Sequence, residues 1–252
     1  MQPEIHIAGL TLQTFGICFA VAFIAAGALV GKRLQELRKP VDWAYEIILA
    51  GLIGGIVGAR AYFIVENYDS VKNDLLGNIF SGSGLVWYGG ALGGALGVGI
   101  WAWRRGMFNA VLLDICAAPL ALGYAMGRIG CQLSGDGDYG KPWDGPWAMA
   151  YPHGTVPSKV TVQPTPIYET LAMGSVALLL WQLRDRYRPG VLFAVYLVLA
   201  GVERFAVEFI RRNSDVAIGL TQAQLMSAVM ILAGAAWLVL AARRGTLARA
   251  AA

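Results

Sequence analysis

Residues 112–140 read LLDICAAPLALGYAMGRIGCQLSGDGDYG, and this stretch decides the architecture. An apolar run from Leu112 to Met126 leads into Arg128, with Gly127 before it and Gly130 just after. The segment that follows holds no aliphatic side chain after Leu133. A charge in or at the edge of an apolar run costs roughly 2.5–3.5 kcal/mol even on the lenient insertion scale. Arg128 therefore faces a polar cavity or an anion, or it pairs with a nearby Asp to fix helix packing. Residue type alone leaves both open. Gly127, Gly130, Gly135, Gly137 and Gly140 allow turns and close backbone approach to a ligand.

Working outward, the 252 residues are 57% hydrophobic and only 14% charged, against about 25% charged in soluble domains. This is the composition of a polytopic helical membrane protein. A single transmembrane domain over 1–252 is expected, with an outer-face head segment at about 134–165. The net charge of +4 does not point to nucleic acid, because the basic residues fall in short clusters between apolar runs. Cys18, Cys116 and Cys131 have no CxxC or metal spacing, so neither a disulfide frame nor a metal is implied. The N-terminus, MQPEIHI, lacks a basic n-region and is read as leading into an uncleaved first helix.

The fold expected is all-α with seven spans, each near the ~20 residues a bilayer requires. They lie at 11–31, 43–65, 84–103, 110–133, 166–183, 190–210 and 221–242. Charge sets their orientation. One alternating set of connections carries Lys32, Arg33, Arg38, Lys39, Arg104, Arg105, Arg184, Arg186, Arg188, Arg243, Arg244 and Arg249. The other carries Lys72, Lys141, Lys159, Arg211 and Arg212. The positive-inside rule puts the N-terminus outside and the C-terminus in the cytoplasm. The loop at 134–165 then lies on the outer face, where a long loop reads as a binding lid.

Several residues stand out along the spans. Gln13 is an interface residue or a ligand contact. Gly51/Gly55 and Gly54/Gly58 form small-xxx-small pairs, a packing seam. Arg60 either snorkels to lipid phosphates or serves a site. Trp87 and Tyr88 suit an aromatic belt, and the Tyr88 hydroxyl is also able to bond a polar headgroup. Gly89, Gly90, Gly93, Gly94 and Gly97 leave a nearly bare surface for another helix or an acyl chain. Asp114 and Arg128 are about 21 Å apart along a helix and cannot pair within it. Tyr168 and Glu169 occupy the first turns of the fifth span. There Glu169 either caps the helix or faces Arg128 or Arg204. Arg204 and Glu208, at i and i+4, share a helix face. With Glu203 they put three ionisable residues into six positions of one span, which marks a site.

The ordered set GARAYFIV at 58–65, WYGGALGG at 87–94, GRIG at 127–130 with Gly135 and Gly140, PTPIYE at 164–169 and ERFAVEFIRR at 203–212 resembles the prolipoprotein diacylglyceryl transferase family. The resemblance covers most of the chain. It implies a seven-span enzyme of the bacterial plasma (inner) membrane. Such an enzyme moves the diacylglyceryl group of phosphatidylglycerol onto the lipobox cysteine thiol of a preprolipoprotein signal peptide and releases glycerol phosphate. No cofactor is implied. Arg128 and Arg204 match the two arginines assigned to phosphatidylglycerol binding and catalysis.

The chain departs from the family pattern at several positions. Tyr88 stands where the family has the histidine of His-Gly-Gly. Cys131 replaces an asparagine after GRxG, and SGDGDYG carries an apparent extra residue. Asp136 falls in place of the family glutamate when counted from GRIG, and Asp138 does so if the extra residue lies earlier. Gln163 replaces a histidine, and Phe15 a tyrosine. His6 and His153 match no catalytic position.

The resemblance thus implies a phosphate clamp of Arg128 and Arg204, with Arg60 as a third member. The thiol proton goes to Glu169, Glu208 or Tyr88. Gly89 and Gly90 hold acyl chains. Gly127, Gly130, Gly135, Asp136, Asp138, Gly140 and Tyr168 are substrate-binding residues, and Gly135 to Pro146 cover the headgroup or admit the peptide. Two other readings stay open, a transferase with the same donor and another acceptor, and a non-catalytic phospholipid-binding or transport protein.

Overall fold

The computed structural model describes residues 1–7, 10–72, 77 and 86–248, with Ile7, Leu10 and Trp87 described by backbone alone. The belt reading of the Trp87 side chain lies outside the described residues. Eight helices are present among them: α1 Thr14–Glu36, α2 Trp43–Glu66, the single turn α3 Tyr68–Val71, α4 Trp87–Arg104, α5 Ala110–Ser134, α6 Thr165–Leu183, α7 Val191–Glu208 and α8 Gln222–Arg243. Apart from α3, they coincide with the seven apolar segments. The largest offset is at the end of α1, which continues past residue 31 to Glu36.

The all-α expectation needs correction. Six short strands, β1 Glu4–Ile7, β2 Leu10–Gln13, β3 Met149–Tyr151, β4 Ser158–Val162, β5 Asp215–Ala217 and β6 Leu220–Thr221, pair into three antiparallel hairpins. The first takes residues 11–13 from the expected first span. EIHI and LTLQ alternate with period two, the signature of a strand. Gln13 pairs opposite Glu4 and its Nε2 donates to that carboxylate at 2.9 Å, so it is a hairpin residue.

Among the described residues α1, α2, α5 and α8 are long and apolar enough to cross a membrane. The other long helices have 18 or 19 residues but a different composition. α4 is rich in glycine, α6 opens TPIYET, and α7 carries Glu203, Arg204 and Glu208. Large apolar side chains such as Ile24, Ile53, Leu92, Leu178 and Leu232 are exposed on these helices. Lipid-facing surfaces carry such residues, since lipid tails are as apolar as leucine.

The chain divides into two compact units. One is formed by residues up to Leu29 and from Leu113 onward, the other by Val30–Leu112. In the second unit, α2 and α4 meet glycine to glycine. A Cβ added at Gly93 would lie 2.2 Å from the Gly54 carbonyl oxygen, and one at Gly58 would lie 2.3 Å from that of Gly89. No side chain fits at these positions. Backbones at this distance gain van der Waals contact that any larger residue would forfeit. The bare face of α4 therefore seats α2, and the acyl-chain reading of Gly89 gives way to helix packing. At the end of α4, Arg105 and Trp101 Nε1 both donate to Glu46, the latter at 2.6 Å.

In the first unit, Ala117, Ala118, Ala121 and Ala125 of α5 form a small-residue face packed with Met173, Ala177 and Leu180 of α6 and Leu192 and Ala200 of α7. α7 and α8 pack closely at Gly201 and Gly234, where an added Cβ would come within 2.9 Å of Ser227 O and 2.7 Å of Ala194 O respectively. Asp114 accepts from the backbone N–H groups of Gly190 and Phe193, both at 2.9 Å. An acid within α5 thereby satisfies two orphan donors at the start of α7. α8 begins with a capping box between Thr221 and Gln224.

Candidate active site

The C-terminal turns of α5 put Tyr124, Arg128 and Cys131 on one face, because residues four and three apart meet on a helix. Gly135 and Gly137 take φ of +61° and +98°, a region closed to most L-residues. They turn the chain back after α5 and bring Asp138 beside Arg128. Pro164 and Pro166 start α6 so that Glu169 falls in its second turn, fully buried. The last turns of α7 and the bend after it supply Arg204, Glu208 and Arg211.

These side chains form one charged network in the first unit. Arg128 Nε lies 2.5 Å from Glu169 Oε2, and its Nη1 bonds Asp138 Oδ2. Arg211 bridges the same two acids, donating to Glu169 Oε1 at 2.9 Å and to Asp138 Oδ1. Tyr124 donates to Glu169 Oε2 at 2.5 Å and accepts from Arg128 Nη2 at 3.2 Å. Arg204 Nη2 pairs with Glu208 Oε2 at 2.7 Å. Glu208 also accepts from Asn213 Nδ2 at 2.6 Å. Burial by itself would raise the Asp138 carboxyl, but the Arg128 and Arg211 guanidiniums overcome this and hold it below the usual carboxylate range. Buried carboxylates and guanidiniums are tolerable only when paired in this way.

One buried donor stands outside the pairing. Arg204 Nη1 has no hydrogen-bond partner among the described residues. Leaving such a donor unsatisfied costs about 1–3 kcal/mol, more when charged.

Around the network, glycines mark close approaches. A Cβ at Gly130 would lie 3.0 Å from Cys18 Cβ, and one at Gly140 would lie 2.6 Å from Ile210 O. At Gly127 nothing lies within 4 Å. Asp136 does not reach the arginines in any recorded bond; it accepts from the Asp138 N–H at 3.2 Å. Cys131 Sγ lies 3.4 Å from Asp138 Oδ2. Although Cys131, Asp136 and Asp138 could gather ligand atoms within 4.8 Å, the two arginines on Asp138 oppose a cation there. Tyr168 donates to Gln163 Oε1 at 2.9 Å and accepts from Trp147 Nε1 at 2.7 Å.

The 134–165 segment is a folded cap. Tyr139 and Tyr151 stack at 4.6 Å, with buried Val162 in the same cluster, and Arg212 sits over the Tyr139 ring at 4.3 Å. Tyr151 donates to Gln132 Oε1 at 2.9 Å, and burial pushes its phenol up to about 12, so it remains a donor.

Arg60, Tyr88, Gly89 and Gly90 belong to the second unit. Arg60 is buried, with its guanidinium 5.0 Å over the Phe63 ring, which removes the snorkelling reading. Gly90 makes ordinary contacts with Ala59 and Gly55. Glu169 meets Arg128, as one alternative expected, and its second arginine is Arg211. Sequence reasoning missed Arg211 and Tyr124. Arg211 was counted among the basic loop residues, although its place three after Glu208 was a signal. Tyr124 stands four before Arg128 and reads as an ordinary apolar-run residue.

The family model described as prolipoprotein diacylglyceryl transferase matches residues 3–240. A phosphatidylglycerol–prolipoprotein diacylglyceryl transferase of Leptospira interrogans is 32% identical over 231 residues, covering 81% of this chain and 73% of that protein. Proteins of the same description from Clostridium tetani (31%, 93% and 95% covered) and Erythrobacter litoralis (30%, 98% and 91% covered) are similar over nearly the whole length. With a family match reaching from residue 3 to residue 240, the chain belongs to the prolipoprotein diacylglyceryl transferase family.

Proposed function

We propose that this protein transfers the diacylglyceryl group of phosphatidylglycerol to the lipobox cysteine thiol of a preprolipoprotein and releases glycerol phosphate. It does so as a seven-span protein of the bacterial plasma membrane, N-terminus outside. The observation that carries the reading is Arg204 Nη1, a buried cationic donor with no acceptor among the described residues, beside Arg128 and Arg211, which are both paired with Glu169 and Asp138. A phosphodiester oxygen is the acceptor that suits it, since guanidinium binds phosphate with directional, charge-assisted bonds and does not lose its proton.

The reaction is a displacement at the glycerol carbon. The thiol becomes a thiolate, sulfur bonds to carbon, and the carbon–oxygen bond breaks with the electron pair leaving on phosphate. Arg204 and Arg128 stabilise that developing charge. Preorganised charge in a water-poor site is worth far more than in bulk. The Glu169–Arg211–Asp138 lattice fixes the Arg128 guanidinium so that little reorganisation is needed. The cap at 134–165, with Gly135, Asp136, Gly140 and Tyr168, covers the headgroup.

The test is transfer of label from phosphatidylglycerol to a lipobox peptide, with a Cys→Ser peptide as control. Label on the thiol peptide alone supports the reading. Donor cleavage without peptide labelling indicates another acceptor, a possibility raised by Tyr88 in place of the family histidine. No turnover in lipid that supports a histidine-containing family member leaves a phospholipid-binding protein.

A further inference from the structure

Four carboxylates of the first unit lie within reach of the arginines, and three are ion-paired with them, although Glu208 Oε2 accepts no hydrogen bond among the described residues. Asp138 receives Arg128 and Arg211. Glu169 receives Arg128, Arg211 and Tyr124. Glu208 receives Arg204 and Asn213. A carboxylate whose lone pairs are held by cationic donors is a weak proton acceptor, because those bonds favour its charged form. The fourth, Glu203 on α7, takes part in no hydrogen bond or ion pair among the described residues. It is half-buried, one residue before Arg204, and five residues from the end of α7. The groups whose charges act on it are Arg204 on its own helix, Glu169 on α6, Arg128 and Tyr124 on α5, and Arg211 after α7.

We propose that Glu203 is the proton acceptor for the attacking thiol, the role that neither Glu169 nor Glu208 is free to fill. This rests on the transfer reading above. The thiol proton passes to a Glu203 carboxylate oxygen as sulfur bonds to the glycerol carbon. The carbon–oxygen bond breaks, its electron pair goes to the departing phosphate, and the proton held on Glu203 is then released to glycerol phosphate or water. Atoms and charge balance without an added co-reactant.

The experiment compares wild type, Glu203→Gln and Glu203→Asp, purified in detergent with phosphatidylglycerol and a lipobox peptide, between pH 6.5 and 9.5. Glu203→Gln should lower the transfer rate by about 10²–10⁴ at pH 7, the usual contribution of a general base. Phosphatidylglycerol binding should be unchanged. The deficit should shrink as pH rises through about 8.5, where the peptide thiol ionises unaided. Glu203→Asp should recover part of the rate. A Glu203→Gln enzyme as fast as wild type overturns the assignment, as does a loss of equal size at every pH. If Glu203→Gln does not fold, Glu203→Asp carries the test, since slowing that is the same at pH 7 and pH 9 overturns it. A wild type that transfers nothing overturns the transfer reading and the Glu203 role with it.

Discussion

The α2–α4 seam and the Arg128–Glu169–Arg211–Asp138 network solve the same problem in opposite ways. Both are buried contacts between elements of a protein rich in apolar sequence. In the seam, glycines bring backbone to backbone, and its strength is van der Waals contact that one methyl group would disrupt. In the network, charges are concentrated where each would be expensive alone, and pairing offsets the cost. The seam has no chemistry to offer. The network holds cations that cannot lose their protons, together with one unsatisfied donor. The difference teaches where to look for function in such a chain: at the interface that retained charge despite the penalty.

The comparison breaks most sharply at Arg211. Arg211→Ala should cost about 3–5 kcal/mol, because it leaves Glu169 Oε1 and Asp138 Oδ1 without their cationic partner in a buried site. The unfolding midpoint in detergent measures this, and a drop of less than 1 kcal/mol would mean that the network is not structural. Arg204→Ala should lower transfer by roughly 10²–10³, the cost of one preorganised donor to a developing oxyanion. Stability should fall as well, because the substitution takes the arginine from buried Glu208, so the rate is read per folded enzyme. In the seam, Gly93→Val should cost about 3 kcal/mol of stability through overpacking against the Gly54 carbonyl. Gly123→Ala, where an added Cβ meets nothing within 4 Å, is the control and should be neutral or slightly stabilising.

Acid gives a smaller effect. The folded carboxyl of Asp138 is held below its ordinary value, so its contribution is fully present above the unfolded value near 3.9. It is lost as pH falls through the lower, folded value. Wild type should therefore lose stability below about pH 4, while Asp138→Asn should start lower and show a shallower acid limb. Smallest of all, Gly127→Ala should leave folding unchanged, since the added methyl meets no protein atom. A loss of transfer in that variant would identify Gly127 as a wall of the lipid site, and an unchanged rate would remove it from the site.

Much was legible beforehand. Seven apolar segments gave seven long helices, because a run of ~20 apolar residues has few alternatives to a helix once water is excluded. Arg128 and Arg204 announced themselves by being charged within such runs. The hairpins were harder to read, since an alternation of four residues, as in EIHI and LTLQ, is too short to outweigh an adjoining apolar run. Nor was the partner of the bare α4 face, because a glycine stripe accepts a helix or a lipid chain equally well until another backbone is brought against it.

The sequence by itself determined the class of protein, the placement of its helices and the family to which it belongs. These follow from local composition and from motifs in fixed order. Only the tertiary structure decided which acid holds which arginine. Asp138 rather than Asp136 meets Arg128 because two glycines with positive φ turn the loop. Arg211 joins Glu169 because α6 and the end of α7 converge there, Arg204 goes to Glu208, and Glu203 has no hydrogen bond or ion pair among the described residues. Pairing among charges depends on distances between elements remote in sequence, and no local pattern encodes those distances.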